Sequence, residues 1–106
     1  MWGESAGGHA AAMLGTTSSW TPGGHLDVGD RLEVSSDVVG VVDNYGPTDF
    51  LQMDAHLPEG YQTHNSRDSP ESIYVSVQIT QIPEKVREAD PCSYVRNTAE
   101  NYASRK

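Results

Sequence analysis

A serine framed by glycines two positions to either side, Gly3-Glu4-Ser5-Ala6-Gly7, lies at the start of the chain and opens a small-residue run, Ala10-Ala11-Ala12-Met13-Leu14. Gly-x-Ser-x-Gly is the pattern of a nucleophile elbow, a serine carried on a sharp turn between a strand and a helix. Such a turn strains the backbone, which calls for little or no side chain at Gly3 and Gly7. The backbone N–H of Ala6, the residue after the serine, then points with the helix N-terminus at an oxygen that gains negative charge. The chemistry implied is acyl transfer to the Ser5 hydroxyl. A Gly-rich turn that merely caps a helix is the alternative the pentapeptide leaves open.

The elements that must position this serine are only partly legible. An elbow needs a strand before it, and Met1 and Trp2 are too few to form one. The small-residue run reads as a helix, with Gly15 as its stop. Thr16 to Asp37 is rich in Ser, Thr, Gly and Asp and reads as a long surface excursion. Val38-Val39-Gly40-Val41-Val42-Asp43 is β-branched and apolar without alternation, the pattern of a parallel strand buried on both faces. It ends in the turn cluster Asn44-Tyr45-Gly46-Pro47-Thr48-Asp49, at the strand end where open α/β sheets place ligand-binding loops. Asp68-Ser69-Pro70-Glu71 reads as a cap, a proline at the first helical position and an acidic first turn, with a short helix through Tyr74. A second such start, Ile82-Pro83-Glu84, leads a helix that stops at Asp90-Pro91 because the residue before a proline avoids helical backbone. Residues from Arg96 to Lys106 are polar and read as a disordered tail. The fold class expected is α/β, with an incomplete sheet.

Composition narrows the partners. The 106 residues carry 15 acids and 7 bases, a net charge of −8. That balance argues against nucleic acid and anionic membrane surfaces, which call for basic patches, and favours a small neutral substrate. The single Cys92 excludes an internal disulfide, and its expected role is a small packed side chain. No stretch reaches the ~18 apolar residues of a membrane span, and no signal peptide precedes the motif. His25, His56 and His64 lie in polar loops, where exposure without function is expected; they lack the spacing of a metal site, and no cofactor is implied.

Three blocks taken together, Gly3-Glu4-Ser5-Ala6-Gly7-Gly8-His9, then Val41-Val42-Asp43-Asn44-Tyr45-Gly46-Pro47-Thr48-Asp49, then Asp68-Ser69-Pro70-Glu71-Ser72 with Ile82-Pro83-Glu84-Lys85-Val86 and Ala89-Asp90-Pro91, resemble the α/β-hydrolase superfamily. Within it they are similar to carboxylesterases of the acetyl-esterase/lipase and feruloyl-esterase type. The resemblance implies a carboxylic ester substrate and a triad in the order Ser, acid, His, with Ser5 as nucleophile and Ala6 N–H as oxyanion donor. Glu4, Gly7 and His9 match positions of the family's motif as supporting residues, His9 as an orienting or packing group. Asp43 and Asp49 lie where some members take their acid. The alternative there is that Asp43 satisfies turn amides and Asp49 caps the next helix.

The family's second oxyanion donor comes from a His-Gly-Gly loop before the elbow, and its usual acid and His follow a later His-Gly-Asp turn. None of these stands in this sequence. The expectation is that residues 1–95 are the central segment of a hydrolase domain and 96–106 a tail. Alone, such a segment is expected to be inactive and prone to self-association through unpaired strand edges. A non-catalytic remnant or interaction segment that keeps the elbow structurally is the alternative.

Overall fold

In a computed structural model, the structure describes residues 1–17, 26 and 28–95. They form two units, one built on Met1–Gly46 and the other on Pro47–Ser93.

The first unit is a strand, a helix and a second strand. Strand β1 (Trp2–Glu4) runs parallel to β2 (Val42–Asn44), with Trp2 opposite Val42, Gly3 opposite Asp43 and Glu4 opposite Asn44. Parallel neighbours need a crossover, and helix α1 (Ala6–Thr17) begins it. The short N-terminal segment does make a strand, contrary to the sequence expectation, because the ladder extends backwards. Val42 N–H donates to Met1 O at 2.9 Å, and the terminal ammonium donates to Gly40 O at 3.0 Å.

Two further expectations need correction. The strand over Val38–Asp43 is shorter and shifted, because pairing with β1 reaches only Val42–Asn44. No second strand flanks it among the described residues, so Val39 is fully exposed and Val42 half exposed rather than buried on both faces. Gly15 does not stop α1. A Cβ there would lie 2.8 and 2.9 Å from the Val41 methyl carbons, so the absent side chain lets helix and chain pack closely. The helix instead continues to Thr17, where Thr16 Oγ1 donates to Ala12 O at 2.8 Å and Thr17 Oγ1 to Met13 O at 2.6 Å. The described part of the following segment, residues 28–37, is exposed and irregular.

The second unit is made of short helices around Phe50, Ile79 and Val86, with Leu51, Met53, Val75, Ile82 and Ala89 against them. Helix α2 (Pro70–Val75) starts as its sequence dictates: Ser69 is the cap, its Oγ accepting Ser72 N–H at 3.1 Å, and Pro70 takes the first helical position. Helix α3 (Pro83–Ala89) ends at Asp90, whose extended backbone (φ −93°, ψ 118°) suits the residue before Pro91. Single 3₁₀ turns at Phe50–Gln52, Asp54–His56 and Ile79–Gln81 complete the unit. Buried Asp90 ties two of these pieces together, its Oδ1 accepting Phe50 N–H at 2.9 Å. A short parallel sheet with helices is an α/β arrangement, as expected.

Candidate active site

Ser5 sits at the junction between β1 and α1, exposed, with φ +52°. A serine in the left-handed region costs free energy, so the surroundings must impose it. Two hydrogen bonds hold its backbone on either side: Ser5 N–H donates to Asn44 O at 3.0 Å, and Ser5 O accepts His9 N–H at 3.0 Å as the first bond of α1. The first pins the turn to the end of β2, and the second starts the helix. The hydroxyl is thereby presented at the tip of a strand–turn–helix.

Glycine makes the turn possible at Gly3. A Cβ there would overlap the Gly7 carbonyl and sit 2.8 Å from Gly8 N, so strand and helix cross backbone to backbone. Gly7 is different: a Cβ there meets nothing within 4 Å, so the expectation that both framing glycines are sterically required holds only for Gly3. Gly8, buried, takes the second close approach, with Asn44 O and Gly46 N each 3.1 Å from where its Cβ would stand.

The first N–H groups of a helix have no partner within it, which leaves those of Ala6 and Gly7, both exposed, at the same end as the Ser5 hydroxyl. Together with the dipole of the twelve-residue α1, they form a positive end suited to an oxyanion. Glu4 is exposed one position before Ser5. His9 is buried in the first turns of α1.

Asp43 closes the turn after β2. Its Oδ1 accepts Gly46 N–H at 2.8 Å, which lets Tyr45 take a left-handed φ of +46°. The loop is packed under the start of α1, at Gly8 and His9. Asp49 precedes the 3₁₀ turn Phe50–Gln52 but its side chain makes no capping hydrogen bond; the turn's amides are taken elsewhere, Phe50 N–H by Asp90 Oδ1 at 2.9 Å and Gln52 N–H by the backbone O of Asp49 at 3.2 Å. The expected cap at Asp49 is therefore absent. Cys92 is exposed, not packed as its sequence suggested, because the turn at Pro91–Tyr94 carries it on the surface.

The histidines divide. His25 lies outside the described residues, and His56 is exposed. His64 is not the free loop residue the sequence suggests: its Nδ1 lies 3.2 Å from Oε2 of buried Glu71. Beside it, buried Asp54 accepts His64 N–H at 2.9 Å and Asn65 N–H at 2.7 Å. Burial pushes the Asp54 carboxyl up, but the N–H donors of Asn65, His64 and Thr63 and the charge of His64 outweigh it and hold it below its ordinary value. No spacing in the sequence signals this cluster, because Asp54, His64 and Glu71 are brought together by loop path; the acidic first turn of α2 is its one local trace. Among the described residues no three His, Cys, Asp or Glu side chains are grouped to hold a metal, and no described helix is long and apolar enough to cross a membrane.

The strand–turn–serine–helix unit on a parallel ladder defines an α/β-hydrolase-like chain. The BD-FAE family model matches residues 1–102, and the protein belongs to that family, a group of feruloyl-esterase-like α/β-hydrolase domains. No curated protein matches the chain. Family membership carries carboxylic ester hydrolysis at the level of the family, with small-molecule esters as the substrate class.

Proposed function

We propose that Ser5 is the nucleophile of a carboxylic ester hydrolase that works through an acyl-enzyme. The observation that carries this reading is the strained, exposed backbone of Ser5 at φ +52° between β1 and α1. Ser5 Oγ attacks the ester carbonyl carbon and a histidine takes its proton. The C=O electron pair moves onto oxygen, and the Ala6 N–H donates to that oxyanion. The collapsing intermediate expels the alcohol, which takes the proton back. Water then repeats the sequence and releases the carboxylic acid.

The 106 residues are proposed to hold the nucleophile and one oxyanion donor but not a working triad. His9 is taken into the buried side of α1, and the Ser5 hydroxyl has no histidine partner among the described residues. Without its base, a serine hydrolase keeps only residual catalysis, about 10³–10⁴ over water. Residues 1–95 thus act as the central segment of the hydrolase domain, and the exposed Trp2, Val39 and Val42 beside the two-stranded ladder give it a surface for self-association.

The test joins the purified chain to a family segment that carries the His-Gly-Gly loop and another that carries the His-Gly-Asp turn. Hydrolysis of a chromogenic acetyl ester is expected from the assembled protein and from neither part, and Ser5→Ala is expected to abolish it. Activity that survives Ser5→Ala overturns the nucleophile assignment. Failure of a folded assembly to turn over any ester favours the alternative, an interaction segment that keeps the turn structurally.

A further inference from the structure

Outside the serine turn, the second unit has an open cleft of about 360 Å³ between the end of α2 and the 3₁₀ turn at Ile79–Gln81. Arg67, Ile73, Ser76, Val77 and Gln81 are among its walls. Three of these, Arg67, Ser76 and Gln81, are exposed and offer hydrogen-bond donors that nothing in the described chain uses. Arg31 pairs with Glu33 and Arg87 with Glu84, whereas Arg67 makes no ion pair among the described residues. The Ser76 hydroxyl and the Gln81 amide likewise have no partner there. In a protein of net charge −8, an unpaired guanidinium beside two neutral donors is a local positive site. Opposite polarity is provided by Ile73 and Val77, which are 69% and 40% exposed and form an apolar wall.

Ser76 supplies a second, independent sign. It caps α2 in the left-handed region at φ 68°, where glycine is the ordinary residue because it has no Cβ. Its side chain makes no capping bond that would explain a serine at this position. Ser76 thus lines the cleft at a cost in backbone strain.

We propose that this cleft binds a small organic carboxylate with an apolar body. The carboxylate lies against Arg67, a bidentate match for its two oxygens, with Ser76 Oγ and the Gln81 amide as further donors, and the apolar body lies on Ile73 and Val77. The cleft is lined by residues of the second unit alone, and its occupancy does not depend on ester hydrolysis.

Benzoate is the probe, with benzamide as its neutral isostere and inorganic phosphate as the competing anion, in equilibrium dialysis and ligand-observed saturation-transfer NMR on the full chain. Benzoate is expected to bind saturably, and Arg67→Gln to weaken it about tenfold, the cost of one charged hydrogen-bonding partner. Ser76→Gly is expected to weaken benzoate while raising the thermal midpoint, a combination that a loss of folding cannot produce. Equal binding of benzamide, phosphate binding as tight as benzoate, or unchanged affinity in both variants overturns the proposal.

Discussion

Gly3 and Gly7 touch through their backbones beneath the turn that carries Ser5, yet only one of them has to be glycine. A methyl on Gly3 would coincide with the Gly7 carbonyl, while one on Gly7 projects into open space. Gly3→Ala is therefore expected to destabilise the chain by about 3 kcal/mol or more, since the atoms it strikes are main chain and cannot rotate away. Gly7→Ala is expected to be neutral or to add up to about 1 kcal/mol through helix propensity. Urea midpoints of the two variants check the contrast, and equal effects would refute the packing account.

The strain at Ser5 has a measurable sign. Ser5→Gly is expected to raise stability by up to about 1 kcal/mol, because glycine adopts φ +52° without the Cβ clash. Ser5→Ala keeps the Cβ and so keeps the strain. If the two variants unfold at the same denaturant concentration, the turn is not strained by its side chain.

Asp54 makes the second unit sensitive to acid. Its folded carboxyl titrates below the ordinary 3.8, so the stabilisation it provides is fully present above that value and is lost as pH falls through the lowered one. The N–H groups of His64 and Asn65 lose a charged acceptor when it protonates. Unfolding midpoints measured from about pH 6 down to pH 2 are expected to fall in the acid limb, and Asp54→Asn is expected to flatten that limb. A limb of unchanged slope in the variant would remove Asp54 from the explanation.

Ser69 serves α2 twice, accepting Ser72 N–H at 3.1 Å and donating from its hydroxyl to Ser72 Oγ at 2.9 Å, and it is buried. Ser69→Ala is expected to cost about 1–2 kcal/mol, the upper part of the range for a cap. Ser69→Asp retains an acceptor for the amide and is expected to recover part of that loss, read again from chemical denaturation.

Local chemistry was legible where one residue's own constraint decides the outcome. Gly3-Glu4-Ser5-Ala6-Gly7 announces the turn, Ser69-Pro70 the start of α2, and Asp90-Pro91 the end of α3, because each rests on the backbone limits of glycine or proline or on a cap a few positions away. Gly15 misled for the same reason in reverse: its missing side chain answers to Val41, 26 positions later, not to the helix that holds it. The valines at 38–42 read as a strand by composition, but a strand exists only where a partner's amides and carbonyls meet it, and β1 meets only Val42 to Asn44.

The sequence by itself determined the family, the candidate nucleophile and the small residues that let its turn form, since these are matters of residue type and close spacing. Tertiary structure alone decided that His64 belongs to Glu71 and Asp54, and that Arg67, Ser76 and Gln81 share one cleft. Those groupings depend on how loops route residues that are 5 to 17 positions apart, and no local preference of the chain encodes that path.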